Sequence, residues 1–155
     1  AWYDIVSLDF RSRADASGVA ESVAQVEALI AREQARGTPR ERILLAGFSQ
    51  GGAITLSTGL RQQSPLAGLV ALSTYLPEVD AAAAQLAAGA TAQPVFMAHG
   101  SGDPVIPVQV AEHSLQVLRQ LGFGVEWHRY AMAHQVCAEE IQALGDWLQA
   151  RFAAG

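Results

Sequence analysis

Residues 43–52 read ILLAGFSQGG, an apolar run that leads into a serine between glycines. The first four of these residues have the pattern of a short strand buried on both faces of a parallel sheet. A helix of small residues is predicted to follow, from about Gln50 to Arg61. A strand that turns sharply into a helix at Gly-x-Ser-x-Gly is typical of a nucleophile elbow, in which Ser49 would stand at the carboxyl edge of the sheet.

The five-residue motif is not specific by itself, because it occurs by chance in roughly one protein of this length in twenty. Its position between a predicted strand and a predicted helix is what favours the elbow. Gly47 and Gly51 would let neighbouring backbone approach where a side chain would clash. Two alternatives remain open: an ordinary glycine-rich turn, and a turn that binds phosphate at the start of the helix. The second lacks the lysine of a Walker motif.

Composition places the chain among globular proteins and argues against disordered and fibrous ones. With 155 residues, of which 50% are hydrophobic and 16% charged, residues 1–155 are expected to form a single domain. The net charge is −5 and the ten basic residues are scattered arginines, which argues against a nucleic-acid partner. No apolar run reaches the roughly 18 residues of a membrane span.

Cys137 is the only cysteine, so the chain can form neither an internal disulfide nor a Cys/His zinc cluster. This favours a cytoplasmic protein. A rival role for Cys137 as nucleophile is less favoured than that of a buried, inert thiol at the start of the last helix. The chain opens with Ala1, and the aromatic residues Trp2 and Tyr3 resemble the interior of a protein, so we expect further residues upstream.

Helices and strands alternate along the chain, which predicts an α/β fold: a mainly parallel sheet between two layers of helices. The strands are predicted at residues 43–46, 68–72, 94–98 and 125–130. Five helices are predicted. The first is capped by Asp15 or Ser17 and ended by Gly37 and Pro39, and the last carries Ile141, Leu144, Leu148 and Phe152 on one side. The three helices between them are predicted from about Gln50 to Arg61, near Val79 to Ala88, and from Pro107 to Gly122.

A nucleophilic serine needs a histidine base, and the histidine needs an acid to orient it. After an elbow of this type the acid precedes the histidine along the chain. His134 is favoured as the base because it lies in the loop between the last strand and the last helix. His113 falls within a helix and His128 within a strand, where packing or surface roles are expected, and His99 precedes the favoured acid.

Asp103 is favoured as the acid because it lies in a loop directly after a predicted buried strand. Gly100 and Gly102 lie on either side of Ser101 in that loop and suggest a backbone bent to place a carboxylate, although a plain turn would look similar. Asp80, in another loop after a strand, is the second candidate. Asp146 lies within an amphipathic helix and is expected to be solvated.

Five motifs together resemble the phospholipase/carboxylesterase family, which comprises small bacterial carboxylesterases and acyl-protein thioesterases. They are WYD at residues 2–4, GFSQGG at 47–52, LSTYLP at 72–77, HGSGD at 99–103 and MAH at 132–134. The resemblance runs through essentially the whole chain, as the C-terminal majority of the family's α/β-hydrolase fold. It implies a serine hydrolase without cofactor or metal, with Ser49 as nucleophile, Asp103 as acid and His134 as base.

One family feature is absent from this sequence, namely a His-Gly-Leu-Gly type loop near the N-terminus. In the family the oxyanion hole uses the N–H after the nucleophile, here that of Gln50, and a second N–H from that loop. The strands that should pair beside residues 43–46 are also expected to be missing. Three explanations are open: a complementing N-terminal segment, a truncated product, or pairing of the edge in a homodimer.

Only about 17 residues separate the strand ending at Leu72 from Pro94, which leaves little room for a lid. The prediction is therefore an open site that hydrolyses short to medium acyl esters or thioesters through an acyl-enzyme. Tyr75, Leu76 and Met97 are candidates for lining the acyl pocket, and each is equally compatible with the core. The alternative function is an inactive or weakly active hydrolase fragment that serves as an interaction module.

Overall fold

The computed structural model describes residues 16–153. Within them, a parallel sheet of four strands has the order β1-β2-β3-β4. The strands are β1 (Leu44–Phe48), β2 (Gly68–Leu72), β3 (Val95–Gly100) and β4 (Val125–Tyr130). The predicted parallel α/β sheet is thus confirmed.

The helices follow the predicted order. They are α1 (Ala16–Ala35), α2 (Gln50–Leu60), α3 (Ala82–Gln85), α4 (Val108–Gln120) and α5 (Ala138–Ala153). Helices α2, α3 and α4 connect successive strands, α1 precedes β1 and α5 follows β4. Helix α1 ends as predicted, because Gly37 adopts a φ of 103° just beyond it. It begins at Ala16, so Ser17 lies inside the helix instead of capping it, and Asp15 lies outside the described residues.

Three apolar clusters show how the layers are arranged. On one face of the sheet, α2 and α4 pack over β2 and β3, and α5 covers the opposite face of the same strands through Trp147. Helix α1 packs against α2 through Val19 and Val23. Because alternate residues of a strand point to opposite faces, this produces the three-layer arrangement. None of the helices in this part of the chain is long and apolar enough to cross a membrane.

Strand β1 departs from the prediction that it is buried on both faces. All five residues of β2 are buried, whereas the residues of β1 are only partly buried or exposed. The reason is that β1 is an edge of the sheet formed by residues 16–153. An apolar groove of about 430 Å³ lies beside it, between β1, α1 and α2.

The predicted helix near Val79 to Ala88 is also wrong in its extent. A 3₁₀ turn at Val79–Ala81 leads into α3, which has only four residues. The chain then leaves the helical path, because the Ala87 N–H donates to the Leu60 carbonyl at the end of α2, at 2.8 Å. A contact distant in sequence therefore overrides the helix propensity of the alanines.

The buried side of α5 is rotated from the predicted one. Ile141 was expected on the apolar side but is 56% exposed, whereas Trp147 is 6% exposed. The Trp147 ring packs against Phe96, with 5.8 Å between the ring centroids. Leu144 and Leu148 contact the same cluster as predicted. The large indole of Trp147, which the prediction did not include among the apolar residues of this side, sets the orientation of the helix.

Replacing Trp147 by alanine should lower the free energy of unfolding by about 3–5 kcal/mol, since it opens a cavity under α5. The matched control is Ile141→Ala on the same helix, which should change it by less than about 0.5 kcal/mol. Urea unfolding followed by circular dichroism measures both values. Equal losses in the two variants would contradict the observed orientation of α5.

Candidate active site

Ser49 lies in the sharp turn between β1 and α2. Its backbone has a φ of 56° and a ψ of −119°, a conformation that non-glycine residues rarely adopt. Two backbone hydrogen bonds hold this geometry: the Ser49 N–H donates to the Leu72 carbonyl at 2.9 Å, and the Ser49 carbonyl accepts from the Ala53 N–H at 3.1 Å. The strained turn is the predicted elbow.

The neighbourhood of this turn leaves no room for a side chain at Gly47. A Cβ added there would overlap the backbone carbonyl group of Gly51. The turn is also tied to the segment that follows β2, because the Thr74 hydroxyl donates to the Ser49 carbonyl at 2.6 Å. The close approach of residues 47 and 51 explains physically why the motif carries glycine at position 47.

The structure brings together the three residues that the sequence singled out. The Ser49 hydroxyl lies 3.0 Å from His134 Nε2, and His134 Nδ1 lies 2.7 Å from Asp103 Oδ2. A carboxylate only accepts hydrogen bonds, so Nδ1 of the neutral ring carries the proton and Nε2 accepts from the hydroxyl. This polarity is the one a base needs in order to take the serine proton.

Asp103 is held from its other side by the backbone of its own loop. Its Oδ1 accepts N–H hydrogen bonds from Val105 at 2.8 Å and from Ile106 at 2.9 Å, and its side chain has no exposed surface. Burial by itself would raise the pKa of this carboxyl. Hydrogen bonds from Ile106, His134 and Val105 outweigh burial and hold the pKa of Asp103 below its usual value. The carboxylate is therefore ionised at neutral pH.

The loop that carries His134 approaches the end of β3 very closely at Gly100. A Cβ on Gly100 would overlap the carbonyl oxygens of Met132 and Ala133, the two residues before His134. By contrast, the nearest atom to a Cβ on Gly102 is the Met132 carbonyl oxygen, at an ordinary 3.5 Å.

Gly100→Ala should therefore displace the His134 loop and slow the reaction of Ser49 with a fluorophosphonate by roughly a hundredfold, the cost of about 1 Å of misplacement. Gly102→Ala, two residues away, should slow it less than about threefold. Both rates are measured from the increase of the fluorescent label on the protein band in a gel over time. Similar rates in the two variants would show that the close approach does not position His134.

The remaining candidates lie elsewhere. Asp80 is exposed, and exposed Asp146 accepts from Gln142 at 3.2 Å, as expected for a solvated carboxylate. His113 lies within α4, and His128 lies within β4, where it contacts Glu126 at 2.7 Å. Partly exposed Cys137 directly precedes α5, so its predicted burial is only partial.

Gln50 begins α2 directly after Ser49 and is partly exposed. The first N–H groups of a helix have no acceptor inside it and point toward its N-terminal end. The Gln50 N–H therefore lies at the end of the helix that favours negative charge. Among residues 16–153, no group of three or more His, Cys, Asp or Glu side chains has a geometry suited to a metal ion.

The three residues suggested as an acyl pocket are each 1% exposed. Leu76 and Met97 belong to the core cluster under α2 and α4, and Tyr75 belongs to the cluster between α1 and α2. The structure thus shows them as packing residues, and their part in substrate binding stays a prediction. Phe48, which the sequence reasoning passed over, lies beside His134, with 4.9 Å between the centroids of the two rings.

His99 is a second residue whose part in the site the sequence reasoning missed, although it placed His99 at the end of a strand. Its Nε2 lies 3.4 Å from Asp103 Oδ2, and both side chains are almost fully buried. The available signal was the spacing: a histidine that ends a strand four residues before the acid lies at the same edge of the sheet. Phe48 had a comparable signal, since it directly precedes the serine.

A parallel sheet between layers of helices, with a serine elbow and an acid and a histidine on loops after later strands, defines the α/β-hydrolase fold. The chain belongs to the phospholipase/carboxylesterase family, whose family model matches residues 1–152.

Relatives of known name agree with this assignment. Acyl-protein thioesterase 1 of Neurospora crassa is 37% identical, with 97% of this chain and 64% of the relative covered. A probable carboxylesterase of Oryza sativa subsp. japonica is 33% identical, with 96% and 57% covered. The chain thus spans less than two thirds of the length of these curated relatives.

Solved structures show the same fold. The crystal structure of Arabidopsis thaliana SOBER1 matches with a TM-score of 0.90 at 30% identity, covering 97% of this chain and 73% of that one. The crystal structure of Zea mays acyl-protein thioesterase 2 matches with a TM-score of 0.83 at 25% identity, covering 97% and 72%.

Proposed function

We propose that this chain carries the catalytic residues of a serine hydrolase that cleaves carboxylic esters or thioesters through an acyl-enzyme. The observation that carries the proposal is the hydrogen-bonded series from Ser49 through His134 to Asp103, with links of 3.0 and 2.7 Å. The names of its relatives, acyl-protein thioesterase and carboxylesterase, support the same chemistry. A cytoplasmic location remains a prediction from the single cysteine.

In the first half of the reaction, Ser49 Oγ attacks the acyl carbon and its proton passes to His134 Nε2. The buried Asp103 carboxylate stabilises the imidazolium that forms. The Gln50 N–H donates to the developing oxyanion. The tetrahedral intermediate collapses when His134 returns the proton to the leaving alcohol or thiol, which leaves the acyl group on Ser49.

In the second half, water takes the place of the alcohol or thiol. His134 removes a proton from the water as it attacks the acyl-enzyme, and then protonates Ser49 Oγ as the carboxylic acid leaves. One residue acts in turn as base and acid, so its ring must face both Ser49 and solvent. The His134 side chain is 18% exposed, which agrees with this requirement.

The surroundings of His134 favour short to medium acyl groups. Phe48 is 39% exposed beside it and offers an apolar surface at the open edge of the site. A side chain exposed on one side can bury a few methylene groups at about 0.8 kcal/mol each, but it does not enclose a long chain.

Turnover of p-nitrophenyl acetate, butyrate, octanoate and palmitate, and of the matching thioesters, tests the proposal. We expect the highest kcat/KM for butyrate or octanoate. Phe48→Ala should reduce the preference of octanoate over acetate, whereas Ile141→Ala, which changes an exposed apolar residue of α5, should leave it unchanged. Absence of turnover with every ester and thioester, in a chain that folds, would contradict an independent hydrolase.

A second candidate function, that of a hydrolase whose site is incomplete in this chain, is favoured by β1, the half-exposed edge strand beside the serine. We propose that this edge is completed by further strands of the same fold, which would supply a second oxyanion donor. The relatives are longer than this chain by at least a third of their length, and the groove beside β1 is apolar. Removal of one oxyanion donor costs about 10²–10³ in rate, so the chain alone would be a weak hydrolase.

The comparison that tests this candidate is between residues 1–155 and a product of the same reading frame extended on its N-terminal side. We expect kcat to rise by about 10²-fold or more in the extended protein, with both proteins monomeric by light scattering. A dimer of residues 1–155 would assign the edge to a second copy instead. Equal kcat values would contradict a completing segment.

A further inference from the structure

We propose that His99 is a positioning residue for the acid Asp103: a buried ring whose Nε2–H holds the acid loop at the Ile106 carbonyl. The proposal rests on the proposed function of Ser49, Asp103 and His134. Its basis is a contact between two buried side chains, 1% and 0% exposed, at the end of β3. Nothing in the proposed reaction uses His99 directly.

The hydrogen-bond partners of His99 determine its tautomer. Its Nε2 lies 2.8 Å from the Ile106 carbonyl oxygen, which can only accept, so Nε2 carries the proton. The buried Nδ1 has no partner among the described residues, so no acceptor there requires it to carry the proton. Burial lowers the pKa of His99, and the opposing effects of the Ile106 carbonyl and Asp103 are smaller. The ring is therefore neutral at neutral pH.

Ile106, in the acid loop, forms hydrogen bonds through both its N–H and its carbonyl group. The Ile106 N–H donates to Asp103 Oδ1 at 2.9 Å, and the Ile106 carbonyl accepts from His99 Nε2. Nε2 also lies 3.4 Å from Asp103 Oδ2, the oxygen that His134 contacts. His99 thereby joins the end of β3 to the acid and to its loop in a single closed set of contacts.

This arrangement predicts a particular effect on the base. Without the Nε2–H of His99, the Asp103 carboxylate keeps its backbone donors but loses a neighbouring dipole that stabilises its charge. A less stabilised carboxylate attracts the proton of the His134 imidazolium more strongly. The charged or titratable groups that act on His99 are Asp103, His134 and Glu112, and the variants below change none of them.

The test is the second-order rate constant for labelling of Ser49 by a fluorophosphonate between pH 5 and 9. In His99→Leu, the acid limb of this profile should move up by about 0.3–0.5 pH unit. The plateau should fall roughly tenfold because the acid loop is less well held. His99→Gln, whose amide N–H can reach the Ile106 carbonyl, should restore most of the plateau rate and most of the wild-type position of the acid limb. His113→Gln on α4 is the matched control and should behave as the wild type.

Two results separate failure of this inference from failure of the proposed function. A wild-type chain that is not labelled at all overturns the function, and this inference with it. If the wild type is labelled and folded His99→Leu gives the same pH profile, the inference alone is overturned. The same holds if His99→Gln is as defective as His99→Leu.

Nuclear magnetic resonance of the wild-type chain provides a test that requires no variant to fold. The ¹⁵N shifts of His99 should show a neutral ring protonated at Nε2 from pH 7 to pH 8. A His99 ring that carries its proton on Nδ1, or that becomes charged within this range, would overturn the proposal.

Discussion

Replacing Ser49 by alanine is expected to reduce ester hydrolysis by on the order of 10³-fold or more. The reason is that the hydroxyl 3.0 Å from His134 is the group that forms the acyl bond. Initial rates with p-nitrophenyl butyrate measure this effect, with circular dichroism to show that the variant folds.

Two controls make this result specific. Ser101→Ala removes an exposed hydroxyl from the acid loop and should leave the rate within about twofold, as should Cys137→Ala, which removes the rival nucleophile. Retention of most of the activity in Ser49→Ala, or its loss in Cys137→Ala, would contradict the proposed mechanism.

Asp103→Asn is expected to lower kcat at neutral pH by about 10³–10⁴-fold with little change in KM. An amide at this position cannot stabilise the imidazolium of His134, and its NH₂ group can force the ring into the wrong tautomer. Steady-state kinetics with a short ester measure the effect. Asp80→Asn, which changes an exposed carboxylate, is the matched control and should leave kcat unchanged.

The same substitution should change how stability depends on pH. The pKa of Asp103 is lower in the folded chain than its usual value, so the unfolded chain binds the proton more readily. Ionised Asp103 thus stabilises the folded state at neutral pH, and this contribution disappears as the pH falls below about 4. Urea unfolding from pH 7 to pH 2 should show a shallower acid decline in Asp103→Asn. An unchanged slope would contradict the lowered pKa.

The sequence allowed the site to be predicted because of one physical regularity. The carboxyl ends of parallel strands meet at the same edge of a sheet, and Ser49, Asp103 and His134 each follow a different strand. Once helices and strands were seen to alternate, three loops distant in sequence could be expected to converge. The distances between the side chains required the structure.

Other features depended on contacts that periodicity does not encode. The orientation of α5 follows from where Trp147 fits against Phe96, a contact between residues 51 positions apart. The early end of α3 follows from the backbone hydrogen bond between the Ala87 N–H and the Leu60 carbonyl. The exposure of β1 follows from its position at the edge of the described sheet, and a pattern of apolar residues cannot report which neighbours a strand has.

The most direct test of the central claim is the intact mass of the chain after incubation with a fluorophosphonate, followed by peptide mapping. The account predicts one adduct per chain, located on Ser49, and none in the folded His134→Ala or Ser49→Ala variants. An unmodified chain, or an adduct located on Cys137 or another serine, would contradict the claim that Ser49 is a nucleophile activated by His134.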